Sequence, residues 1–361
     1  MSSDLPPLFT PITIGDITLR NRIMMSPMCQ YSSHEGMPNI WQMVHLGARA
    51  TGGVGLVMSE ATAVMPEGRI SPGDTGIWND QQMQAWKPIV DYIVSQGAVA
   101  GIQLAHAGRK ASTTIPFEKG VHPIPPGDIG WVPEGPSPIP FTQNHTVPTE
   151  MTEGRIAEVI GAFVSGALRA VEADFKVIEL HMAHGYLLHS FLSPISNKRT
   201  DRYGGDRDGR MTFAIELAAA VRSAIPDGLP LFVRISSVDW LEEGWQLEDS
   251  VELIKKLHEV GVDLIDASSG GISPESAKAQ IVDQQPKYAE YLKKHSKALI
   301  GAVGGITRAD QANLLIEGGS ADLVVVGRQL LREPHWALLG ATKLGADVDW
   351  PKQYRRAKPK A

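Results

Sequence analysis

Two histidines and a tyrosine stand close together in one short stretch of this 361-residue chain, the segment HMAHGY from His181 to Tyr186. The two imidazoles, His181 and His184, could bind zinc or iron. A third metal ligand would then have to come, at no recognised spacing, from His106, Glu60 or Cys29. They could equally be structural residues of a core. A third interpretation is a pair of hydrogen-bond donors to a carbonyl or nitro oxygen, which would stabilise charge during hydride addition. The Tyr186 phenol is a poor base at neutral pH, but it can donate a proton to carbon.

A second group of residues suits a phosphate-bearing ligand. Gly304-Gly305 and Gly327-Arg328 each follow a short apolar run near the C-terminus. In parallel barrels the loops after the last two strands commonly bind phosphate through backbone amides, and an arginine adds a charged partner. The glycines could also be simple turn residues. No GxGxxG motif follows a predicted strand, so a Rossmann dinucleotide site is not supported.

Two further side chains bear on a cofactor. Arg234 lies inside an apolar run, and a buried arginine must face an anion or an electron-rich ring oxygen. Cys29, the only cysteine, could be a nucleophile, an inert buried thiol or a group that touches a cofactor. The residues alone therefore predict a phosphate-bearing cofactor beside a pocket rich in donors, and they leave the reaction type open.

The elements that must position these residues alternate regularly along the chain. Eight short apolar runs predict β-strands: Ile23–Met28, Gly55–Glu60, Ala98–Ala105, Val177–Met182, Leu231–Ser236, Leu264–Ser268, Ala298–Val303 and Asp322–Gly327. Amphipathic segments predict the helices between them: Asn39–Thr51, Asp80–Gln96, Thr152–Glu172, Arg210–Ala224, Leu247–Val260, Gln285–Ser296, Arg308–Glu317 and Arg332–Leu344. Asp80 and Thr152 are expected N-caps. The pattern favours an α/β fold, a (β/α)8 TIM barrel, over an open doubly wound sheet, because closure removes edge strands.

Two segments depart from this alternation. Leu8–Arg22 predicts an N-terminal β-hairpin that turns at Gly15-Asp16 and closes the amino end of the barrel. Thr113–Pro148, after the third strand, is rich in proline and glycine, and a loop of this length is usually functional. We expect residues 113–148 to form a lid within a single domain that spans residues 1–361. Its apolar residues could pack: Phe117, Trp131, Ile139 and Phe141.

Composition excludes several classes of protein. The chain is 43% hydrophobic and 20% charged, as expected of a globular protein with a large core. A net charge of −6 argues against nucleic acid or an anionic membrane as the partner. No apolar run approaches the roughly 18–20 residues that span a bilayer, and no secretory signal opens the chain. We therefore expect a cytoplasmic enzyme without a metal centre.

The sequence resembles the old yellow enzyme family, specifically its thermophilic-like subgroup of NADPH dehydrogenases, ene-reductases and xenobiotic reductases. The matching strings span nearly the whole chain: LRNRIMMSPMCQYSS, IQLAHAGRKAS, VIELHMAHGYLLHSFLSPISNKRTDRYGG, LFVRIS, GVDLIDASSGG, GAVGGI and DLVVVGRQLLREPHW. The long string around His181 is highly specific. Cysteine in SPMCQY is typical of the subgroup.

This resemblance implies FMN as a tightly bound cofactor and NADPH or NADH as the reductant. The residues implied to hold FMN are Ser26, Pro27, Met28, Cys29, Ala61, Gln103, Arg234, Gly304, Gly327 and Arg328. Substrate would meet His181, His184 and Tyr31, and Tyr186 would donate the proton. The implied activity is ping-pong reduction of activated C=C bonds of α,β-unsaturated carbonyl or nitro compounds, with hydride from N5 of FMN.

The resemblance also implies a homodimer or homotetramer that acts on small molecules. In the subgroup an arginine near the C-terminus reaches a neighbouring site, and Arg356 is the nearest match in a divergent ending. Asp174 replaces a glycine usual in relatives, which predicts a strained left-handed residue. Alternatives are another FMN barrel, such as one that oxidises dihydroorotate or 2-hydroxy acids, a metal-dependent lyase or hydrolase, and a barrel that only binds ligands.

Overall fold

Eight parallel strands form a closed barrel in the computed structural model, which describes residues 5–127, 129–279 and 285–359. The strands are β1 (Ile23–Met25), β2 (Leu56–Ala63), β3 (Val99–Ala105), β4 (Val177–Met182), β5 (Leu231–Ser236), β6 (Leu264–Ser268), β7 (Leu299–Val303) and β8 (Leu323–Val326). Each strand pairs with its neighbours in sequence, and β8 closes the ring on β1 through the pair Val324↔Ile23. The predicted (β/α)8 barrel is therefore confirmed.

Helices cover the outside of the barrel between successive strands. They are α1 (Ile40–Thr51), α2 (Asp80–Ser95), α3 (Glu153–Glu172), α4 (Arg207–Ala224), α5 (Leu247–Glu259), α6 (Gln285–Ser296), α7 (Ala309–Glu317) and α8 (Trp336–Lys343). Thr152 is the N-cap of α3, as predicted, and accepts a hydrogen bond from Arg155 N. The prediction for α2 is wrong by one residue, because Asn79 accepts from Gln82 N and Asp80 lies in the first turn.

Several predicted boundaries are shifted, each for a local reason. The first strand ends at Met25 rather than Met28, since Pro27 has no N–H with which to continue the ladder. The second strand continues to Ala63, because its last residues pair with β3. The last predicted helix, Arg332–Leu344, begins only at Trp336 (α8), and Pro334 separates it from a short helix at Arg328–Arg332.

The core has two layers. Outward-facing residues of the strands pack against the helices, and inward-facing residues fill the amino half of the barrel. An antiparallel pair of strands, Ile12–Ile14 and Ile17–Leu19, lies at this end. Ile14 and Leu19 are buried against the barrel interior. Gly15 adopts φ +54°, where a Cβ would lie 2.3 Å from Gly228 O.

Part of the 113–148 segment packs on the carboxyl side of the barrel. Trp131 donates from its backbone to Ser112 Oγ (3.0 Å) and from Nε1 to Glu67 O (2.8 Å). Phe117 is 68% exposed, although its ring lies 6.3 Å from that of Tyr31. A role for this segment as a lid remains a prediction. None of the helices in the described ranges combines the length and apolar character needed to cross a bilayer.

Candidate active site at the carboxyl end of the barrel

The turn that follows β4 carries the histidine pair and the tyrosine. His184 (φ +61°) and Gly185 (φ +75°) are both left-handed, a costly conformation for the histidine. Three contacts hold the turn: His184 N donates to Ser236 Oγ (2.9 Å), Gly185 N to His189 Nδ1 (2.7 Å) and Lys110 Nζ to His184 O (2.8 Å). A strained backbone fixed in this way is a frequent property of functional sites.

The two imidazoles and the phenol lie against one another. The ring of His181 is 5.3 Å from that of His184 and 5.0 Å from that of Tyr186, with nearly perpendicular planes in both pairs. The sequence-predicted trio is therefore brought together at one place. His181 and Tyr186 also line a narrow recess with Ala61, Ala105 and His106.

Hydrogen bonds indicate which nitrogen of each imidazole carries the proton. His181 Nδ1 accepts from Ala183 N (3.3 Å), so its proton is on Nε2. His184 Nε2 lies 2.7 Å from Ser268 Oγ. If the serine hydroxyl donates there, the proton of His184 is on Nδ1. Within the described residues neither proton-bearing nitrogen has a protein hydrogen-bond partner, so both can donate to a ligand.

Burial determines the charge of these groups. Desolvation, with Arg234 nearby, lowers the pKa of His181 and of His184 well below the usual value, so both imidazoles are neutral at neutral pH. Desolvation raises the pKa of Tyr186 well above 10, so its phenol keeps its proton. The site therefore presents neutral N–H donors and a protonated phenol.

A cavity of about 540 Å³ opens beside this trio, between the ends of β7, β8 and β1. Of the predicted cofactor residues it is lined by Ser26, Met28, Arg234, Gly304, Gly327 and Arg328. Arg332, Gln285 and Thr307 line it too. Its described lining holds three arginines and no carboxylate, so it is suited to an anion.

The barrel interior just below this cavity is polar. Gln103 pairs with Ala61 across β2 and β3, next to an irregularity in the β2 register between Met58 and Ala61. Its Nε2 donates to Glu179 Oε1 (2.8 Å). Arg234 donates from Nη1 to Ser26 Oγ (3.2 Å). Gln103 and Ala61 do not line the large cavity, and neither do Pro27 and Cys29.

Cys29 and Tyr31 lie outside the lining of the large cavity. With Tyr186 and Trp131 they pack on a buried cluster of Ile70, Ala107 and Ala111. Desolvation raises the pKa of the Cys29 thiol, and the nearby carboxylate of Asp74 adds to this rise. The thiol is therefore neutral at neutral pH, which argues against its use as a nucleophile.

Comparison with known proteins assigns the chain to a family. The family model described as the NADH:flavin oxidoreductase / NADH oxidase family matches residues 7–343. The chain belongs to this family. An NADPH dehydrogenase of Bacillus cytotoxicus is 46% identical over 97% of this chain and 96% of the relative. An NADPH dehydrogenase of Geobacillus thermodenitrificans is 44% identical over 97% of this chain and 98% of the relative.

Solved structures of other flavin oxidoreductases share the architecture. Morphinone reductase superposes with a TM-score of 0.78 at 25% identity, over 98% of this chain and 93% of its own. A 2-naphthoyl-CoA reductase in complex with 2-naphthoyl-CoA gives 0.82 at 28% identity over 94% of this chain. The present chain spans about half of that longer protein, 52%. The resemblance to the old yellow enzyme family is thus confirmed, and the chain is an FMN-dependent oxidoreductase that uses NADPH or NADH as reductant.

The large cavity of this flavin oxidoreductase is chemically suited to FMN. Its volume is within the roughly 300–1,000 Å³ usual for ligand pockets. Arg328 and Arg332 supply positive charge for a phosphate. A Cβ on Gly327 would meet no atom closer than 3.7 Å, whereas at Gly304, with φ +109°, it would lie 2.1 Å from Gln285 Oε1. Of these two positions, backbone conformation and space therefore require glycine at Gly304 and not at Gly327.

Sequence reasoning missed several residues of this site. Glu179 and Asp266 are buried at its base, and Lys110 is half-buried at its rim. The available signal for the first two was an acidic residue inside an otherwise apolar strand, since such a group needs a partner. Lys110 carried no comparable signal, because lysine after a strand is usually solvated.

Proposed function

We propose that this flavin oxidoreductase is an ene-reductase, which reduces the C=C bond of α,β-unsaturated carbonyl or nitro compounds. The observation that carries the proposal is the trio of His181, His184 and Tyr186, with rings 5.3 and 5.0 Å apart. Two neutral N–H donors suit an oxygen that gains negative charge, and a protonated phenol suits a carbon that must take up a proton. A metal-dependent hydrolase would not need the phenol.

The cofactor would be held from several strand ends. We assign its contacts to Ser26, Pro27, Met28, Cys29, Ala61, Gln103, Arg234, Gly304, Gly327 and Arg328. Arg328 would bind the phosphate, and Arg234 would face the part of the ring where negative charge accumulates. FMN held by these residues would supply the redox chemistry, a hydride taken from NADPH or NADH and given from N5 to the β-carbon of the alkene.

The protein's own groups then have distinct tasks. His181 Nε2 and His184 Nδ1 donate to the carbonyl or nitro oxygen, which orients the alkene and polarises it. Tyr186 gives its phenolic proton to the α-carbon, and Tyr31 is a second phenol at the substrate. Nicotinamide and alkene would use the same substrate site in turn, which would make the kinetics ping-pong. We also propose that residues 1–361 form one FMN-binding domain with residues 113–148 as its lid.

The direct test uses the purified protein. We expect yellow protein whose flavin absorbance is bleached by NADPH under anaerobic conditions and restored by 2-cyclohexenone. Saturated cyclohexanone is the matched control, because it offers the same oxygen without an alkene. If NADPH bleaches the flavin absorbance but neither 2-cyclohexenone nor cyclohexanone restores it, the ene-reductase assignment is refuted and the flavin site is not.

A further inference from the structure

Two buried carboxylates share one arginine inside the barrel. Glu179 on β4 and Asp266 on β6 are both fully buried, and Arg234 on β5 lies between their strands. Asp266 Oδ2 is 3.3 Å from Arg234 Nε, although the two are not aligned for a hydrogen bond. Glu179 is also hydrogen-bonded to Gln103. Arg234 and Gln103 are residues that we assign to the flavin, so the inference rests on that assignment.

The charges of this cluster do not balance. Two ionised carboxylates and one guanidinium would leave a net charge of −1 among buried side chains, which is costly. Within the described residues Glu179 Oε2 and both oxygens of Asp266 accept no hydrogen bond that would stabilise a second negative charge. One proton bound by either acid makes the cluster neutral.

Arg328 and Arg332 line the cavity above Arg234, but the described inward-facing residues around the two carboxylates carry no other compensating charge. On β4 itself the next inward-facing group is His181, which is neutral because burial lowers its pKa. From β3 the cluster meets the uncharged Gln103. The inward-facing residues of the remaining strands are apolar: Met24, Leu56, Met58, Val303, Leu323 and Val325. Burial raises the pKa of both acids, and for Glu179 the neighbouring charge of Asp266 raises it further.

We propose that Glu179 and Asp266 together hold one exchangeable proton beneath the flavin and that their protonation is coupled to its reduction. Glu179 is a positioning residue in this scheme, because it reaches the cofactor only through Gln103. Hydride from the nicotinamide adds two electrons and one proton to the cofactor. Where the pair is ionised before reduction, the added negative charge favours uptake of one further proton from solvent by the pair.

This coupling has a defined electrochemical signature. Reduction raises the proton affinity of the pair, so there is a pH interval in which the pair is ionised in the oxidised enzyme and protonated in the reduced enzyme. Within that interval one additional proton is taken up per two electrons, and the midpoint potential falls more steeply with pH than on either side. The interval lies above the usual range of carboxyl pKa values, because burial has raised them.

The experiment is a spectroelectrochemical titration of the FMN-bound protein at a series of pH values. In the plot of midpoint potential against pH we expect a steeper segment for the wild type and no such segment for Glu179→Gln. For Asp266→Asn we expect the steeper segment to shift to lower pH by one unit or more. The last shift follows because Glu179 then faces Arg234 without a like charge beside it. Glu216→Gln, which removes a half-buried carboxylate of α4 that pairs with Arg202 on the outside of the barrel, is the matched control and should give the wild-type curve.

A second measurement does not depend on the variants folding. Redox-difference infrared spectra of the wild type, with isotopically labelled glutamate or aspartate, should show a protonated carboxyl band that changes on reduction. The proposal is overturned if the midpoint potential of Glu179→Gln depends on pH as that of the wild type does. It is also overturned if the infrared difference spectrum contains no carboxyl band that shifts with the isotope label. Protein that binds no FMN at all would instead refute the underlying cofactor site.

Discussion

Replacement of Tyr186 with phenylalanine removes one oxygen from the site and leaves the ring. The ring should keep its edge contact with His181, 5.0 Å between centroids, and its packing beside Ile70, Ala107 and Ala111. The fold and the imidazole pair should therefore be unchanged. What is lost is a proton donor that stays protonated at all working pH values, because burial raises its pKa well above 10.

The size of the effect depends on which other group can donate the proton. A positioned general acid is worth about 10²- to 10⁴-fold in rate. Lys110 Nζ lies 4.9 Å from the centre of the Tyr186 ring, and burial lowers its pKa to about 7. In the variant an ammonium is thus available below pH 7 but is lost above it. We expect the variant to reduce the alkene ~10²-fold more slowly than the wild type at pH 6 and ~10⁴-fold more slowly at pH 9.

Stopped-flow absorbance of the flavin separates the two half-reactions. Reduction by NADPH should change by less than about twofold, while reoxidation by 2-cyclohexenone shows the full loss. Tyr31→Phe is the matched control and should slow reoxidation far less. Replacement of Lys110 with methionine in the Tyr186→Phe background should abolish the pH dependence. An equal loss in both half-reactions, or full reoxidation activity, would refute the role of Tyr186.

Four further outcomes are expected. In the wild type, ionisation of Tyr186 should not lower the rate of alkene reduction up to about pH 9, since the folded-state pKa of Tyr186 lies well above 10. A decline of this rate with pH that is absent in Tyr186→Phe would contradict the prediction. Arg328→Gln should weaken FMN binding about 10- to 100-fold through loss of a charge-assisted contact, measured by the fluorescence of released flavin. Ser268→Ala should raise the KM for cyclohexenone by up to about tenfold, measured in steady-state assays, because His184 Nε2 loses its serine partner. Asp174 adopts φ +69°, so Asp174→Gly should increase the free energy of unfolding by about 0.5–1 kcal/mol in guanidinium titrations. Asp174→Ala also loses the contact with Lys176 but keeps a Cβ, so it should not increase the free energy of unfolding.

The architecture was predictable from sequence because each strand is a short apolar run followed by an amphipathic helix. The sequence pattern favoured a closed barrel over an open sheet, and the pairing of Val324 with Ile23 in the structure establishes the closure. The left-handed conformation of Asp174 was predicted from the glycine that relatives usually have at this position, and the structure confirms it. The boundaries at Asn79 and Pro334 were less predictable, since neighbouring residues could serve equally well as caps or breaks.

The acids inside the barrel mark the limit of sequence reasoning. Strands of a parallel barrel are buried on both faces, so their residues do not alternate visibly between apolar and polar. Glu179 and Asp266 therefore stood out only as single exceptions, and their common partner Arg234 lies on a third strand between them. Which side chains meet across the interior depends on strand register, and a single sequence does not encode register locally.

The small antiparallel ribbon at the amino end of the barrel has a consequence for access to the candidate site. Ile14 and Leu19 fill that opening with apolar side chains, which closes the amino end. A ligand of the site at the carboxyl end must therefore enter and leave from the carboxyl side of the barrel.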